Sequence, residues 1–226
     1  MNGFDGKNLV VFGDSIMYGS GNNGFGVGEY LKKDLGFKLY KYCIGGARTG
    51  WHEGKSWIVE QVCTAVNDKI PADYIVFNGF TNDCNMTDGV NCDVPLGDMS
   101  DSAPQDIFEI SKQNTTFSGC FEAIVCAFKR YFPQAKLLFV RPHRMGRRGE
   151  AVQIEYGERA VQICKKHGVA VADLYAESGL DTFLCDHRDK YTCDSYGWGR
   201  GDCTHPNALG YEKFYMPIIE NKLKSL

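Results

Sequence analysis

Val10-Val11-Phe12-Gly13-Asp14-Ser15-Ile16 is the stretch that decides how this chain folds. An apolar run of the kind that forms a buried strand stops at Gly13-Asp14-Ser15. A serine just past a strand end, beside a glycine, can sit on a tight turn above a sheet. Open α/β sheets bind their ligands there, beyond the carboxyl ends of the strands. Gly, Asp and Ser are also ordinary turn residues, so the tripeptide gains meaning only if matching groups follow the other strands.

The rest of the chain alternates in the same way. Strands are expected at Asn8 to Phe12, Phe37 to Cys43, Asp73 to Asn78, Lys136 to Val140 and Val169 to Asp173. Helical patterns lie between them. Gly26 to Leu35 is stopped by Gly36. Gly54 to Ile70 carries Trp57, Ile58, Gln61, Val62, Ala65 and Val66 on a mostly apolar face. A third helix is marked by Phe117, Phe121, Ile124, Phe128 and Tyr131 at three-to-four spacing, and a fourth runs from Gly149 to His167. A last helix spans Asn207 to Leu226, kinked or restarted near Pro217. Residues 84–115 and 174–204 read as long irregular loops. The pattern predicts an α/β fold: a three-layer α/β/α sandwich on a five-stranded, mostly parallel, flavodoxin-like sheet with right-handed crossovers. No linker or repeat divides residues 1–226, so one domain is expected.

Composition narrows the function classes. The 226 residues are 43% hydrophobic and 23% charged with a net charge of −3, ordinary for a globular chain. That balance offers no electrostatic footprint for nucleic acid. No apolar stretch approaches the roughly 20 residues of a membrane span. Met1 to Asn8 lacks the basic and apolar regions of a secretion signal, so a cytoplasmic chain is expected, with secretion the alternative if a leader has been removed. The ten cysteines include no C-x-x-C pair, and Cys43, Cys120 and Cys164 fall on presumed core faces. Reduced thiols are expected, with a disulfide alternative open for Cys84, Cys92, Cys185, Cys193 and Cys203.

Chemistry-bearing residues follow the strands in order. After the second comes Ile44-Gly45-Gly46-Ala47-Arg48-Thr49, where a glycine lets a backbone N–H approach a ligand. After the third comes Thr81-Asn82-Asp83, whose Asn82 amide can donate to a developing oxyanion. Before the last helix comes Asp202-Cys203-Thr204-His205-Pro206, a base with an acid three residues back. Singly, each of these can be no more than a turn. Together they place a nucleophile, two donors and a base–acid pair at one sheet edge, the parts that acyl transfer needs. Asp14 is the weaker candidate for the acid, because Asp202 is better placed.

These blocks resemble the SGNH hydrolases, the GDSL esterase/lipase family, over nearly the whole chain. Gly13-Asp14-Ser15-Ile16 is similar to the family's first block, Gly46 to its glycine block, Asn82 to its asparagine block, and Asp202-Cys203-Thr204-His205 to its last. The resemblance implies Ser15 as nucleophile, His205 as base and Asp202 as its partner. It also implies an oxyanion hole from the N–H groups of Ser15 and Gly46 with the Asn82 amide, and no metal or other cofactor. Gly45 could serve in place of Gly46, although the following Ala-x-Thr favours Gly46. One block departs: Phe80 stands where the family usually has glycine, which bears on the local backbone path. No Gly-x-Ser-x-Gly elbow is present, against an α/β-hydrolase fold.

The expected activity is hydrolysis of small acyl esters, most plausibly acetyl groups on carbohydrates. The partner is then a small-molecule or oligosaccharide ester, with neither nucleic acid nor membrane. A thioesterase or lysophospholipase on the same parts, or a catalytically silent carbohydrate-binding module, is the alternative. Trp51, His52, Arg141 and Trp198 are candidate substrate-binding residues, with core or loop-anchoring roles the competing reading. Arg141, His143, Arg144, Arg147 and Arg148 form a basic cluster after the fourth strand that would suit an anionic substrate group or a solvated loop. His167 is expected to cap its helix, and His187 has no evident partner.

Overall fold

Five strands form the centre of the protein, in the order β2-β1-β3-β4-β5: β1 (Asn8–Phe12), β2 (Lys38–Lys41), β3 (Tyr74–Phe77), β4 (Lys136–Arg141) and β5 (Ala170–Asp173). The computed structural model describes residues 3–87, 89–99, 105–113 and 115–226. Every neighbouring pair in the sheet is parallel, with Leu9 opposite both Leu39 and Tyr74 and Phe77 opposite Phe139. Burial on both faces explains why Leu9 to Phe12 is an unbroken apolar run rather than an alternating one. Edge strand β2 is the more polar and is only partly covered.

Helices cover both faces. Helices α2 (Val27–Leu35) and α9 (Met216–Lys224) touch each other; α2 packs on β1 and β2, and α9 on β4 and β5. Helices α3 (Ile58–Asn67), α4 (Phe117–Tyr131) and α5 (Glu150–Lys166) form the other layer, side by side. Between that layer and the sheet Phe12, Phe77, Phe121, Phe128 and Phe139 make a ring cluster, with Phe77 and Phe128 centred 5.0 Å apart. Burying a side chain of this size contributes roughly 1.5–3 kcal/mol. Among the described residues no helix is long and apolar enough to cross a membrane.

Several boundaries differ from the sequence expectation. Helix α3 starts at Ile58 rather than near Gly54, because the backbone before it pairs with the glycine-block loop. Arg48 N–H donates to Ser56 O, Ile58 N–H to Arg48 O, and Trp57 Nε1 to Thr49 O. A four-residue helix, α1 (Ser15–Tyr18), follows β1. The segment 174–204 is not irregular throughout. It holds α6 (Leu174–Glu177), whose first turn is capped by Asp173, and α7 (Cys185–Tyr191), which buries only Tyr191 and so leaves no periodic pattern. In the segment 84–115 the described residues form one 3-10 turn, Ile107–Glu109; residues 88, 100–104 and 114 of that predicted loop lie outside the described ones.

The final helix is interrupted as Pro217 requires. After α8 (Ala208–Gly210) the chain widens into a π turn over Tyr211–Tyr215, where Met216 N–H reaches Tyr211 O. Pro217 has no N–H to continue the ordinary ladder, and the straight helix resumes around it. All ten cysteines are unpaired; Cys43, Cys84, Cys120 and Cys164 are buried, and burial raises the pKa of each.

Candidate active site

The strand order reverses between β1 and its neighbours β2 and β3, and the loops leaving these three strands meet there. The turn after β1 is fixed by its glycine. Gly13 has φ +137°, and a Cβ on it would meet Asn78 Oδ1 at 1.9 Å. Gln61 of α3 clasps the same residue from the side: Gly13 N–H donates to Gln61 Oε1 and Gln61 Nε2 donates to Gly13 O, each at 2.9 Å. Asp14 is buried and caps α1: its Oδ1 accepts from both Ile16 N–H and Asn78 Nδ2, each at 2.9 Å. Asp14 is thus committed to the turn and makes no contact with the imidazole.

Ser15 is recessed in this turn, 6% exposed. Its Oγ lies 2.8 Å from His205 Nε2, and His205 Nδ1 lies 2.6 Å from Asp202 Oδ2. Asp202 is fully buried, and its other oxygen accepts the backbone N–H groups of Thr204 and His205 at 2.9 and 2.8 Å. Burial alone would raise its pKa, but the hydrogen bond and charge of His205 prevail and hold the carboxyl well below the usual range. An anion in that position keeps Nδ1 protonated, so Nε2 presents its lone pair to the Ser15 hydroxyl. The Asp-x-x-His turn is closed at its base by Cys193 N–H on His205 O and Asp202 N–H on Cys193 O.

Ser15, Gly46 and Asn82, each with a hydrogen to donate, border one cleft. The Ser15 N–H opens α1, and neither it nor the Gly46 N–H has a hydrogen-bond acceptor among the described residues. Gly46 has φ +77° with open space at its Cβ position, whereas Gly45 has no left-handed requirement. Asn82 Nδ2 donates one hydrogen to Ala47 O at 2.9 Å, which leaves its second for a ligand.

Asp83, which sequence reasoning passed over except as a turn residue, ties the two donor loops together. Its buried carboxylate accepts from Thr49 N–H at 2.9 and 3.0 Å and from Gly50 N–H at 2.8 Å. Burial pushes this carboxyl up to about 6, against the three hydrogen bonds and Arg48. Phe80, where the family usually has glycine, adopts a left-handed backbone with φ +73°, and its ring is buried against Phe117. Gly79 is needed for a different reason, since a Cβ there would come 2.6 Å from Thr49 Oγ1.

A cleft of about 430 Å³ opens over these groups, bounded by Ser15, Gly45, Gly46, Asn82, Asn85, Arg147, Arg148, Ser195, Tyr196 and His205, with Ser20 and Thr204. Several sequence candidates lie elsewhere. Arg141 is buried beneath α5, paired with Glu158 at 2.8 Å and Asp173 at 3.1 Å. Trp51 and His52 do not border the cleft; Trp51 N–H is bound to Thr115 Oγ1 and His52 Nδ1 faces Glu53 O. Trp198 is exposed and does not border the cleft itself; it stacks on Tyr196, ring centres 4.5 Å apart, and lies under Arg147. His167 caps α5 and also binds Glu122 at 2.7 Å. His187 does have partners, accepting from Asp181 N–H and packing on Tyr191 and Phe214. Tyr196, Asn85 and Ser195 carried no motif; their chemistry is supplied by loop packing alone.

Cys193, Asp202 and His205 are the described residues whose potential metal-ligating atoms cluster, within 4.8 Å of one another. Their Asp202–His205 hydrogen bond occupies the two atoms that a metal would need.

A model of the GDSL-like lipase/acylhydrolase family matches residues 11–213. The chain belongs to that family. As such an acylhydrolase it is a carboxylic ester hydrolase. Solved structures share its fold over almost its full length. A protein from Lactobacillus plantarum is 21% identical with a TM-score of 0.70, covering 98% of this chain and 96% of that one. Phospholipase A1 from Streptomyces albidoflavus is 15% identical with a TM-score of 0.60, covering 96% of this chain and 99% of that one. A catalytic mutant of an acetylxylan esterase from Geobacillus stearothermophilus is 16% identical with a TM-score of 0.57, covering 100% and 95%. No curated protein sequence matches this acylhydrolase significantly.

Proposed function

We propose that the chain hydrolyses small acyl esters, acetyl esters of carbohydrates foremost, by acyl transfer through Ser15. The observation that carries this reading is the continuous hydrogen-bonded line from Ser15 Oγ through His205 to Asp202 at 2.8 and 2.6 Å. Ser15 Oγ attacks the ester carbonyl as its proton passes to His205 Nε2. The carbonyl oxygen, now an anion, is received by the N–H groups of Ser15 and Gly46 and the free Asn82 hydrogen. His205 then returns the proton to the leaving alcohol, and water repeats the sequence on the acyl-serine. Asp202 remains ionised throughout and stabilises the imidazolium.

The substrate class rests on the cleft. Its volume, about 430 Å³, suits a short acyl group with part of its alcohol rather than a long lipid chain. The stacked Tyr196 and Trp198 beside it offer flat faces of the kind that pack on sugar rings. A neighbour of the same fold is an acetylxylan esterase.

A fluorophosphonate probe should label Ser15, as located by mass spectrometry. Ser15→Ala should lose both the label and hydrolysis of an aryl acetate while keeping the wild-type circular dichroism spectrum. Hydrolysis retained by folded Ser15→Ala would sink the assignment.

A further inference from the structure

The basic stretch after β4 divides into two groups. Arg141 and Arg144 are neutralised, the first by Glu158 and Asp173, the second by Glu150 and Asp181. His143 is buried, and burial keeps it neutral. Arg147 and Arg148 differ: among the described residues neither has a carboxylate within ion-pairing distance.

Both guanidiniums are nevertheless held in place. Arg148 donates Nε to Thr81 O at 3.0 Å, beside Asn82, which fixes one edge of the group and leaves its terminal nitrogens uncommitted. Desolvation lowers its pKa, and the neighbouring charge of Arg147 lowers it further. Arg147 lies over the rings of Tyr196 and Trp198, 4.3 and 5.3 Å from their centres. The nearby carboxylate of Glu150 is spent on Arg144.

The two arginines border the cleft of Ser15 and His205 and also an adjoining hollow of about 410 Å³ with Asn85, Thr87 and Gly149. Two fixed, adjacent like charges repel, and a partly desolvated guanidinium with no carboxylate at ion-pairing distance is unfavourable; the buried Asp14 offsets this only from farther away. A solvated pair of arginines would have neither the anchor on Thr81 nor the aromatic stack. The arrangement lacks only an anion between them and the reacting serine. The uncommitted terminal nitrogens of Arg148 form the planar fork that binds a carboxylate or phosphate through two bonds.

We propose that Arg147 and Arg148 form an oxyanion-binding subsite beside Ser15, and that the preferred ester carries a carboxylate or phosphate group. This rests on the reading of Ser15 as nucleophile. The subsite sits on the Asn82 side of the cleft and selects substrate by charge, with Arg148 as the principal contact.

The test compares matched esters on the full chain. Charge on the acyl group is probed with mono-4-nitrophenyl succinate against 4-nitrophenyl butyrate. Charge on the alcohol is probed with 4-acetoxybenzoate against its methyl ester, and a phosphate with 4-acetoxyphenyl phosphate. The wild type should favour at least one anionic ester in kcat/KM by roughly tenfold to a hundredfold, the worth of a charge-assisted pair. The preferred probe tells which side of the ester bears the charge and whether carboxylate or phosphate is taken. Arg148→Gln should cut the anionic-to-neutral ratio by about tenfold, mainly through KM, and Arg148→Lys should restore part of it. Arg144→Gln, outside the cleft, should leave the ratio unchanged. Equal rates on every charged and neutral pair, or a ratio insensitive to Arg148→Gln, would overturn the subsite while leaving the esterase reading intact. Absent hydrolysis of all esters together with absent fluorophosphonate labelling would instead overturn the esterase reading and the subsite with it.

Discussion

Acidification should remove a calculable amount of stability through one side chain, His143. Its ring is completely buried, with Nδ1 2.7 Å from the Tyr215 hydroxyl. Burial pushes its pKa down from 6.5 to about 3, although the Cys203 carbonyl and the Asp202 carboxylate pull the other way; His205 adds to the depression. The unfolded chain keeps a value near 6.5. Between the two values the unfolded state binds a proton that the folded state refuses. The contribution is therefore full above about pH 6.5 and is lost as the pH falls toward 3. At pH 4 the difference is roughly 2.5 pH units at about 1.4 kcal/mol each, or ~3 kcal/mol. Carboxylates also titrate in this window, so the comparison must be between the wild type and His143→Gln, which differ only at this group. Urea unfolding followed by tryptophan fluorescence at pH 7 and pH 4 gives both stabilities. The wild type should lose about 3 kcal/mol more than the variant. Losses that agree to within about 1 kcal/mol would refute a buried, neutral His143.

Three further outcomes are expected at the donor loops. Asn82→Ala should lower kcat on an aryl acetate by roughly 10²–10³ with little change in KM, the usual consequence of deleting one oxyanion donor; a kcat near the wild-type value would remove Asn82 from that role. Phe80→Ala should destabilise the fold by about 3–5 kcal/mol through the lost ring, as read by denaturant unfolding. Phe80→Gly deletes one more carbon yet should be more stable than Phe80→Ala by about 1 kcal/mol, because glycine relieves the φ of +73°. The opposite ranking would show that the left-handed backbone at residue 80 carries no strain.

What could be read from the sequence depended on how far a signal is carried by neighbours along the chain. All five strands are legible: β1, β3 and β4 as apolar runs that parallel burial on both faces produces, β2 by its alternation and β5 as a short apolar run at the opposite edge. The Ser15, His205 and Asp202 constellation was visible because each residue sits in a short block with its own turn chemistry. Arg141 and Arg147 looked alike in sequence. They separate only in space, where Glu158 from α5 and Asp173 from β5 reach one and not the other. Tyr196 was hidden for the same reason, since an aromatic in a Gly-rich loop has no periodic partner. Helix α7 escaped because a helix that buries a single side chain writes no amphipathic stripe. Phe80 shows the reverse case. The departure from glycine leaves the local backbone path open in sequence, and the structure resolves it as a left-handed residue whose ring is absorbed in the core.

The hydrogen bonds that close residues 193–205 at their base divide that segment into a stem and a tip, the tip bound chiefly to itself through Asp194 and to Arg147. Cys193, Asp202 and His205 are tied across the stem, while Tyr196 and Trp198 ride on the tip. Exchanges confined to residues 196–200 leave these stem bonds in place, together with the Ser195 hydroxyl 3.4 Å from His205 Nδ1 and the Gly201 N–H on Asp189. Doubling the length of a flexible loop costs only about 0.6 kcal/mol in closure entropy. New substrate preferences are therefore accessible to evolution, or to a designer, one tip at a time on an unchanged reaction centre.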